Sequence, residues 1–581
     1  MAYSRLSKLG NYLRPHWKVV TLGVFSLLIV NLLGVYIPLL IRDSIDDLGK
    51  SFEFDRALYY VWLILILASV MWAIRMASRI WLFGVGRQVE FDLKQKIFEH
   101  LLTLEPAYFS TRTSGDLINR ATSDVDSVRR LVGFALLSLV NTFFAYALTL
   151  PAMLAIDIPL SIAAVSVYPF MLIAVQLFSG RLQSQQQAVQ ARLSDLSDLV
   201  QEDMSGISLI KIYAQEENER AAFHERNQNL FQANLDLVQT RNFLFPLVEA
   251  LAYVSLLALL GLGTRQILAN NITIGDFIAL LILAERLVFP TALLGFTITA
   301  YQRGEVSIDR VEAILQTEPK VKDAPDTPPF PVEEVRGKIT ATGLTFTYPD
   351  TSRPALEGVS FTIEPGEMVA VVGPIGCGKS TLANALPRLL DVSAGQLSID
   401  DRDIANIDLG DLRRAIAYVP QESFLFSTSI AENIRYGDPV LPFPFVEKAA
   451  KTARIHEEIL NFPQQYDTLV GERGITLSGG QRQRTSLARA LAIDAPILIL
   501  DDALSSVDNQ TATGILENLS KGGGKTLIFI SHQLSAAATA DRILVMERGR
   551  IVQIGTHEEL IDRPGLYQTL WQQHQLEESI G

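Results

Sequence analysis

The sequence predicts an all-α membrane domain of six helices followed by a soluble α/β domain built on a mostly parallel sheet. Three observations lead there. Apolar residues crowd into six long runs within roughly the first 300 positions, a proline-rich charged stretch follows, and beyond it short β-rich runs alternate with helical ones. At 581 residues the chain is also too long for one compact core.

The six runs fall at residues 19–41, 58–83, 134–156, 160–178, 243–267 and 277–300, most of them long enough as helices to cross about 30 Å of hydrocarbon. Arg5, Lys8, Arg14 and Lys18 precede the first, whereas the loop expected at 42–56 is acidic, so the positive-inside rule sets the N-terminus in the cytoplasm. The first run is too long for a signal-peptide core and is expected to stay uncleaved. Residues 84–130 and 179–241 keep helical spacing but are too polar for lipid, which makes them two long cytoplasmic excursions. The outer connections are short: 42–56, the Asp157-Ile158-Pro159 turn, and the Asn270 to Asp276 turn.

Within the spans, Pro169, Pro246 and Pro290 are expected to kink their helices. Arg75, Glu249, Glu285 and Arg286 are the ionisable groups; such residues face a cavity or one another. Glu249 is a candidate substrate contact, and Glu285 and Arg286 are expected near a membrane edge or paired with neighbouring helices. Tyr36, Trp62, Trp72, Phe143, Phe144, Tyr146 and Tyr253 could line a substrate cavity, or face lipid or core.

Three domains follow from this reading: a membrane domain at 1–315, a proline-rich linker at 316–334, and a soluble domain at 335–581. The net charge is −13 and no basic stripe stands out, which excludes nucleic acid as the main partner. With Cys377 as the single cysteine, no intramolecular disulfide can form, and the soluble half suits a reducing compartment.

The strongest chemical signal is Gly373-Pro374-Ile375-Gly376-Cys377-Gly378-Lys379-Ser380, followed by Thr381, between a hydrophobic strand and a helix. Glycines let the backbone curl so that its N–H groups and the helix N-terminus face phosphate oxygens; Lys379 reaches the outer phosphates and Ser380 ligates Mg²⁺. Cys377, within this loop, is expected to be open to thiol reagents when nucleotide is absent, with nucleotide protecting it. An apolar strand ending in Asp501 supplies a carboxylate for the metal from the other side.

Just before that strand stands Leu477-Ser478-Gly479-Gly480-Gln481, which resembles the LSGGQ signature of ABC ATPases; the resemblance extends over the whole chain. It implies a type IV ABC exporter fold: a six-helix transmembrane domain followed by an α/β P-loop ATPase that binds ATP with Mg²⁺. By the same resemblance Tyr348 stacks on adenine, Gln421 joins the metal and attacking water to the membrane domain, and Ser505-Ser506-Val507-Asp508 is the D-loop. His532 holds the γ-phosphate. The stretches 113–126 and 205–218 resemble the intracellular loops whose short helices touch the ATPase. In this family two cassettes close head to tail, so Ser478 and Gly480 would contact ATP bound by a partner chain.

One position departs from the family pattern. Where a glutamate usually follows the metal-binding aspartate and orients the attacking water, this chain has Asp502. The carboxylate is withdrawn by about 1 Å, and a displacement of that order can cost roughly a hundredfold in rate. The departure resembles MdlA-like half-transporters of bacterial heterodimeric multidrug exporters, in which one site is weakened. The expected partners are therefore a second half-transporter, membrane lipid and a small hydrophobic or amphipathic substrate, in the cytoplasmic (inner) membrane. The alternatives are a homodimer in which Asp502 works as the catalytic carboxylate, and a membrane-anchored ATP-binding regulatory subunit.

Overall fold

The computed structural model describes residues 9–50, 53–323, 327–348, 351–507, 509–521 and 524–580; Arg5, Lys8 and Asp508 lie outside them. By internal contacts the chain divides into two compact units, Met1–Thr103 with Arg112–Glu318, and Leu104–Thr111 with Pro319–Gly581.

Among the described residues, the first unit contains six helices long and apolar enough to cross a membrane: α1 Leu9–Lys50, α2 Phe54–Thr103, α3 Ser114–Ile156, α4 Ile158–Ser205, α5 Glu216–Leu268 and α6 Ile274–Leu315. Each has 42 to 53 residues. At 1.5 Å rise per residue that far exceeds about 30 Å of hydrocarbon. The polar stretches expected as separate excursions are therefore largely continuations of the spanning helices themselves. Inside them, Thr113 caps the short helix Ser114–Asn119 that opens α3, and Ile207–Ile212 forms another between α4 and α5.

The expected acidic loop at 42–56 is mostly helix, since α1 runs on to Lys50 and α2 starts at Phe54. Its carboxylates have local work that favours the extension. Asp46 accepts hydrogen bonds from Thr273 Oγ1 (2.6 Å) and the Gly275 N–H (3.0 Å), tying the end of α1 to the capped start of α6. Of the three prolines, only Pro169 accompanies a break. It stands in the first turn of the helix Tyr168–Ser205, just after helical structure lapses at Ser166 and Val167. Pro246 and Pro290 sit inside unbroken helices, as do Pro38 and Pro151. Met153, Leu160, Met171, Leu259, Leu280, Leu283 and Leu287 pack the buried centre of the bundle.

The second unit has two sheets. The larger, in the order β10-β9-β3-β8-β7-β6, pairs β3 (Met368–Val372), β6 (Ile416–Val419), β7 (Ile497–Asp501), β8 (Thr526–Ile530) and β9 (Arg542–Glu547) in parallel, with β10 (Arg550–Gly555) antiparallel at one edge. Strands β3, β7 and β8 are buried at every position, as strands covered on both faces must be. The sequence reading lacked the second, antiparallel sheet of β1 (Ile339–Phe346), β2 (Leu356–Ile363), β4 (Leu397–Ile399) and β5 (Arg402–Asp403). Helix α7 (Lys379–Ala385) follows β3, and α8 (Gly479–Ala492) precedes β7.

Candidate functional site

Four neighbouring parallel strands end at one edge of the larger sheet, and the residues beyond their carboxyl ends converge. The phosphate loop follows β3, His532 follows β8, Asp501 and Asp502 close β7, and Gln421 follows β6. A cavity of about 290 Å³ opens there, lined by Tyr348, Ile375, Gly376, Gly378, Lys379, Ser380, Thr381, Gln421, Asp501, Asp502 and His532 among others.

The loop's glycines are required by shape. Gly378 has φ of +105° at the start of α7, and a Cβ there would lie 2.4 Å from the Ala355 carbonyl oxygen. Gly373 has φ of +152°, and its Cβ would lie 2.1 Å from the Met546 oxygen. Lys379, although buried, curls back over the loop and donates to the carbonyls of Gly373 (2.8 Å) and Pro374 (3.0 Å). These are exchangeable contacts: an arriving phosphate offers the ammonium a charged acceptor in place of neutral carbonyls.

Opposite the loop, Ser380 Oγ donates to Asp501 Oδ1 at 2.9 Å, so hydroxyl and carboxylate already face each other. No cluster of three His, Cys, Asp or Glu side chains suited to a metal occurs among the described residues. The set nevertheless fits Mg²⁺, which takes one or two carboxylates and completes its shell with phosphate oxygens and water. Tyr418 was not foreseen. Its hydroxyl lies 2.9 Å from Asn384 Oδ1 and 3.3 Å from Asp501 Oδ2, bracing the carboxylate from the adjacent strand. Burial pushes the Tyr418 phenol well above its ordinary value, reinforced by the charge of Asp501.

Asp502 turns away from the strand at φ of +49°, a left-handed conformation that aspartate tolerates better than most residues. Its N–H donates to the Ile530 carbonyl (3.1 Å) and its carbonyl accepts from Ser505 Oγ (3.0 Å). Burial raises the pKa of both Asp501 and Asp502 above the usual carboxylate range. It prevails over hydrogen bonds from Ser380 and Tyr418 at Asp501, and over the attraction of His532 and Lys379 at Asp502. Tyr348 meets Phe346 edge-on with centroids 5.0 Å apart, at the cavity's rim.

Cys377 differs from expectation. It is buried at 5% exposure, packed with the apolar residues beneath the loop, and burial pushes its thiol pKa up. The loop's exposed large apolar side chain is Ile375, at 90%, between the exposed Pro374 and Gly376.

The signature residues do not reach this cavity. Ser478 caps α8: its Oγ accepts from the Gln481 N–H (3.3 Å) while Gln481 Oε1 accepts from the Ser478 N–H (2.9 Å), with Ser478 itself at the surface. Leu477 is buried beneath them. Gln483, also not foreseen, clamps α8 to the chain after Asp502, donating to Ser505 Oγ (3.0 Å) and accepting from the Ser506 N–H (2.8 Å). Gly480 passes so near Ser506 that a Cβ would fall 2.9 Å from its carbonyl oxygen.

The two units match two families in the same order: ABC transporter transmembrane region over residues 20–291 and ABC transporter over residues 356–505. Along its full length the chain is 34% identical to the Probable multidrug resistance ABC transporter ATP-binding/permease protein YheI of Bacillus subtilis, covering 99% of this chain and 98% of that one. The chain belongs to the ABC exporter family. Other relatives of this exporter include the multidrug resistance-like ATP-binding protein MdlA of Escherichia coli, 33% identical over 99% of this chain and 97% of that protein. The ATP-dependent lipid A-core flippase of Syntrophus aciditrophicus is 32% identical over 100% and 95%. A bacterial Atm1-family ABC exporter with ATP bound superposes with a TM-score of 0.78 at 25% identity, covering 96% of this chain and 99% of that one. The exporter is thus a multi-pass membrane protein whose ATPase couples ATP hydrolysis to transport.

Proposed function

We propose that this chain is one half of a heterodimeric exporter of hydrophobic or amphipathic compounds, and that its own ATP site turns over slowly while its signature serves a faster site on the partner. The observation that carries the asymmetry is Asp502, which stands in the cavity directly after Asp501 with a side chain one methylene shorter than glutamate. In this reading the membrane domain spans 1–315, the linker 316–334 and the ATPase 335–581.

Tyr348 stacks on adenine, the loop from Gly373 to Thr381 holds the phosphates, and Ser380, Asp501 and Gln421 hold Mg²⁺. Held there, Mg²⁺ would offset phosphate charge, and Asp502 and His532 would flank the γ-phosphate. The surface position of Ser478 at the N-terminus of a 14-residue helix suits contact with a phosphate bound elsewhere. ATP binding would close the cassettes and turn the spans outward, and product release would reset them, through the short helices at 114–119 and 207–212. Arg14 and Lys18 before the first apolar run, against Asp43, Asp46 and Asp47 at its far end, support an N-terminus and ATPase in the cytoplasm. The substrate class rests on the multidrug and lipid A-core names of the relatives.

The presence of both Asp502 and His532 in one cavity favours a second reading, a homodimer in which Asp502 is the working carboxylate at two equal sites. The native mass of the complex, drawn from its own membrane by a tag on this chain, separates the two. A different half-transporter with glutamate after its metal-binding aspartate supports the proposal; two copies of this chain overturn it.

A further inference from the structure

Two arginines in the membrane unit have no counter-charge among the described residues. Arg286 stands well inside the apolar run of α6 and Arg75 inside that of α2. Among the described residues neither forms an ion pair; Arg75 donates only to the Met71 sulfur, at 3.7 Å. Leu82 packs on Gly23, and Arg75 and Val30 each lie two turns further along the same faces of these antiparallel helices, which sets Arg75 level with the Asn31 that holds Arg286. The acidic groups of the spans are engaged or turned elsewhere: Glu249 accepts from Tyr253 at 3.0 Å, and Glu285 lies on the exposed side of α6. The expected pairing with a neighbouring helix is found for Arg286, whose partner is the uncharged Asn31 of α1.

Arg286 is held in place. Its Nη2 donates to Asn31 Oδ1 at 2.9 Å, and Asn31 in turn donates to Asn141 Oδ1 at 3.1 Å. Gly34 makes room for it, since a Cβ there would fall 1.4 Å from Nη1. Its Nε is buried with no acceptor. One edge of the guanidinium is therefore fixed by α1 while the rest of its donors are unspent. Unpaired charge is costly in hydrocarbon and marks substrate or ion pathways. A guanidinium is the cation best suited to take an oxyanion bidentately in a partly dry setting.

Resting on the exporter reading above, we propose that Arg286 and Arg75 form an intramembrane site for the acidic headgroup of an anionic amphipathic transport substrate. The shared chemistry is an oxyanion, carboxylate or phosphate, on an apolar tail that the surrounding span residues accept. A phosphate monoester would balance both guanidinium charges and a carboxylate one.

The test uses the complex purified from its own membrane in lipid nanodiscs, with four probes sharing a decyl chain and ending in carboxylate, phosphate, trimethylammonium or maltoside. The readout is the concentration giving half-maximal stimulation of ATP hydrolysis, with uptake into vesicles as a second measure. The expected result is stimulation by at least one acidic probe, and a rise in its half-saturating concentration of about tenfold or more in Arg75→Gln, with Arg75→Lys intermediate and the maltoside value unmoved. The better of the two acidic probes identifies the headgroup. Arg75 is half-buried with a single weak hydrogen bond, so its substitution keeps the test open if Arg286→Gln misfolds. The inference is overturned if only the uncharged or cationic probe stimulates, or if Arg75→Gln shifts all probes equally. If no probe stimulates or enters vesicles, the hydrophobic or amphipathic substrate class proposed above fails instead.

Discussion

The two ends of the ATPase's chemistry are finished to different degrees. Around the phosphate loop, each group meets a partner from the same chain: Lys379 on loop carbonyls, Ser380 on Asp501, Tyr418 behind Asp501. At the signature, Ser478 and Gln481 cap each other, Gln481 is further tied to Glu458 Oε2 (3.0 Å), and Ser478 stays at the surface with no partner across a pocket among the described residues. The first is a pocket and the second is half of one. On the head-to-tail reading proposed above, this chain carries a nucleotide site needing a roof and a roof needing a site, which a second cassette would supply in both places.

That contrast can be broken by substitution, and the two ends are not expected to respond equally. On the asymmetric account the largest fall comes from Ser478→Arg, which leaves this chain's own phosphate pocket untouched but spoils the faster site. Turnover of the complex is expected to drop about a hundredfold or more, the usual cost of losing a transition-state donor. Lys379→Ala comes next. It removes a charged contact and is expected to weaken ATP binding at this chain's pocket by about tenfold, with a smaller loss of turnover because hydrolysis runs chiefly elsewhere. Equal losses from the two variants would favour the symmetric homodimer. Measuring steady-state ATP hydrolysis and nucleotide binding on both variants separates these outcomes.

A further prediction, read without any substitution, concerns Cys377. Since only thiolate attacks alkylating reagents and burial holds this thiol's pKa above its usual value, less thiolate is present at neutral pH. Alkylation by iodoacetamide without nucleotide is expected to run slower than that of a free cysteine at neutral pH, and to keep rising with pH beyond the range where an exposed cysteine levels off. A rate like that of free cysteine would show that the loop opens far more than its packing suggests.

Cys377 also marks where the sequence stopped being informative. The loop was legible because its glycine spacing has one physical use, and the structure puts Lys379, Ser380, Gln421, Asp501, Asp502 and His532 around one cavity. Which way the intervening side chain points depends on strands distant in sequence, and Cys377 turns into the core while Ile375 turns out. The six spans were legible from hydropathy, but not their ends, because Asp46 reads as loop until its partners Thr273 and Gly275 are known. The antiparallel sheet was missed for the same reason: β1 shows alternating burial, yet its pairing with β2 and β4 is a long-range fact. Arg286 was visible as a charge in a span, whereas Asn31 and Gly34 beside it were not.

The central claim is that the site bearing Asp502 contributes little hydrolysis. It is tested most directly by Asp502→Asn in the complex purified from its own membrane, with steady-state ATP turnover as the readout. The substitution is nearly isosteric, so the left-handed turn at Asp502 and its bonds to Ile530 and Ser505 should survive. The account predicts turnover within about twofold of the unaltered complex, since the altered group lies at the slower of two sites. A collapse to background would make Asp502 the working carboxylate and contradict it.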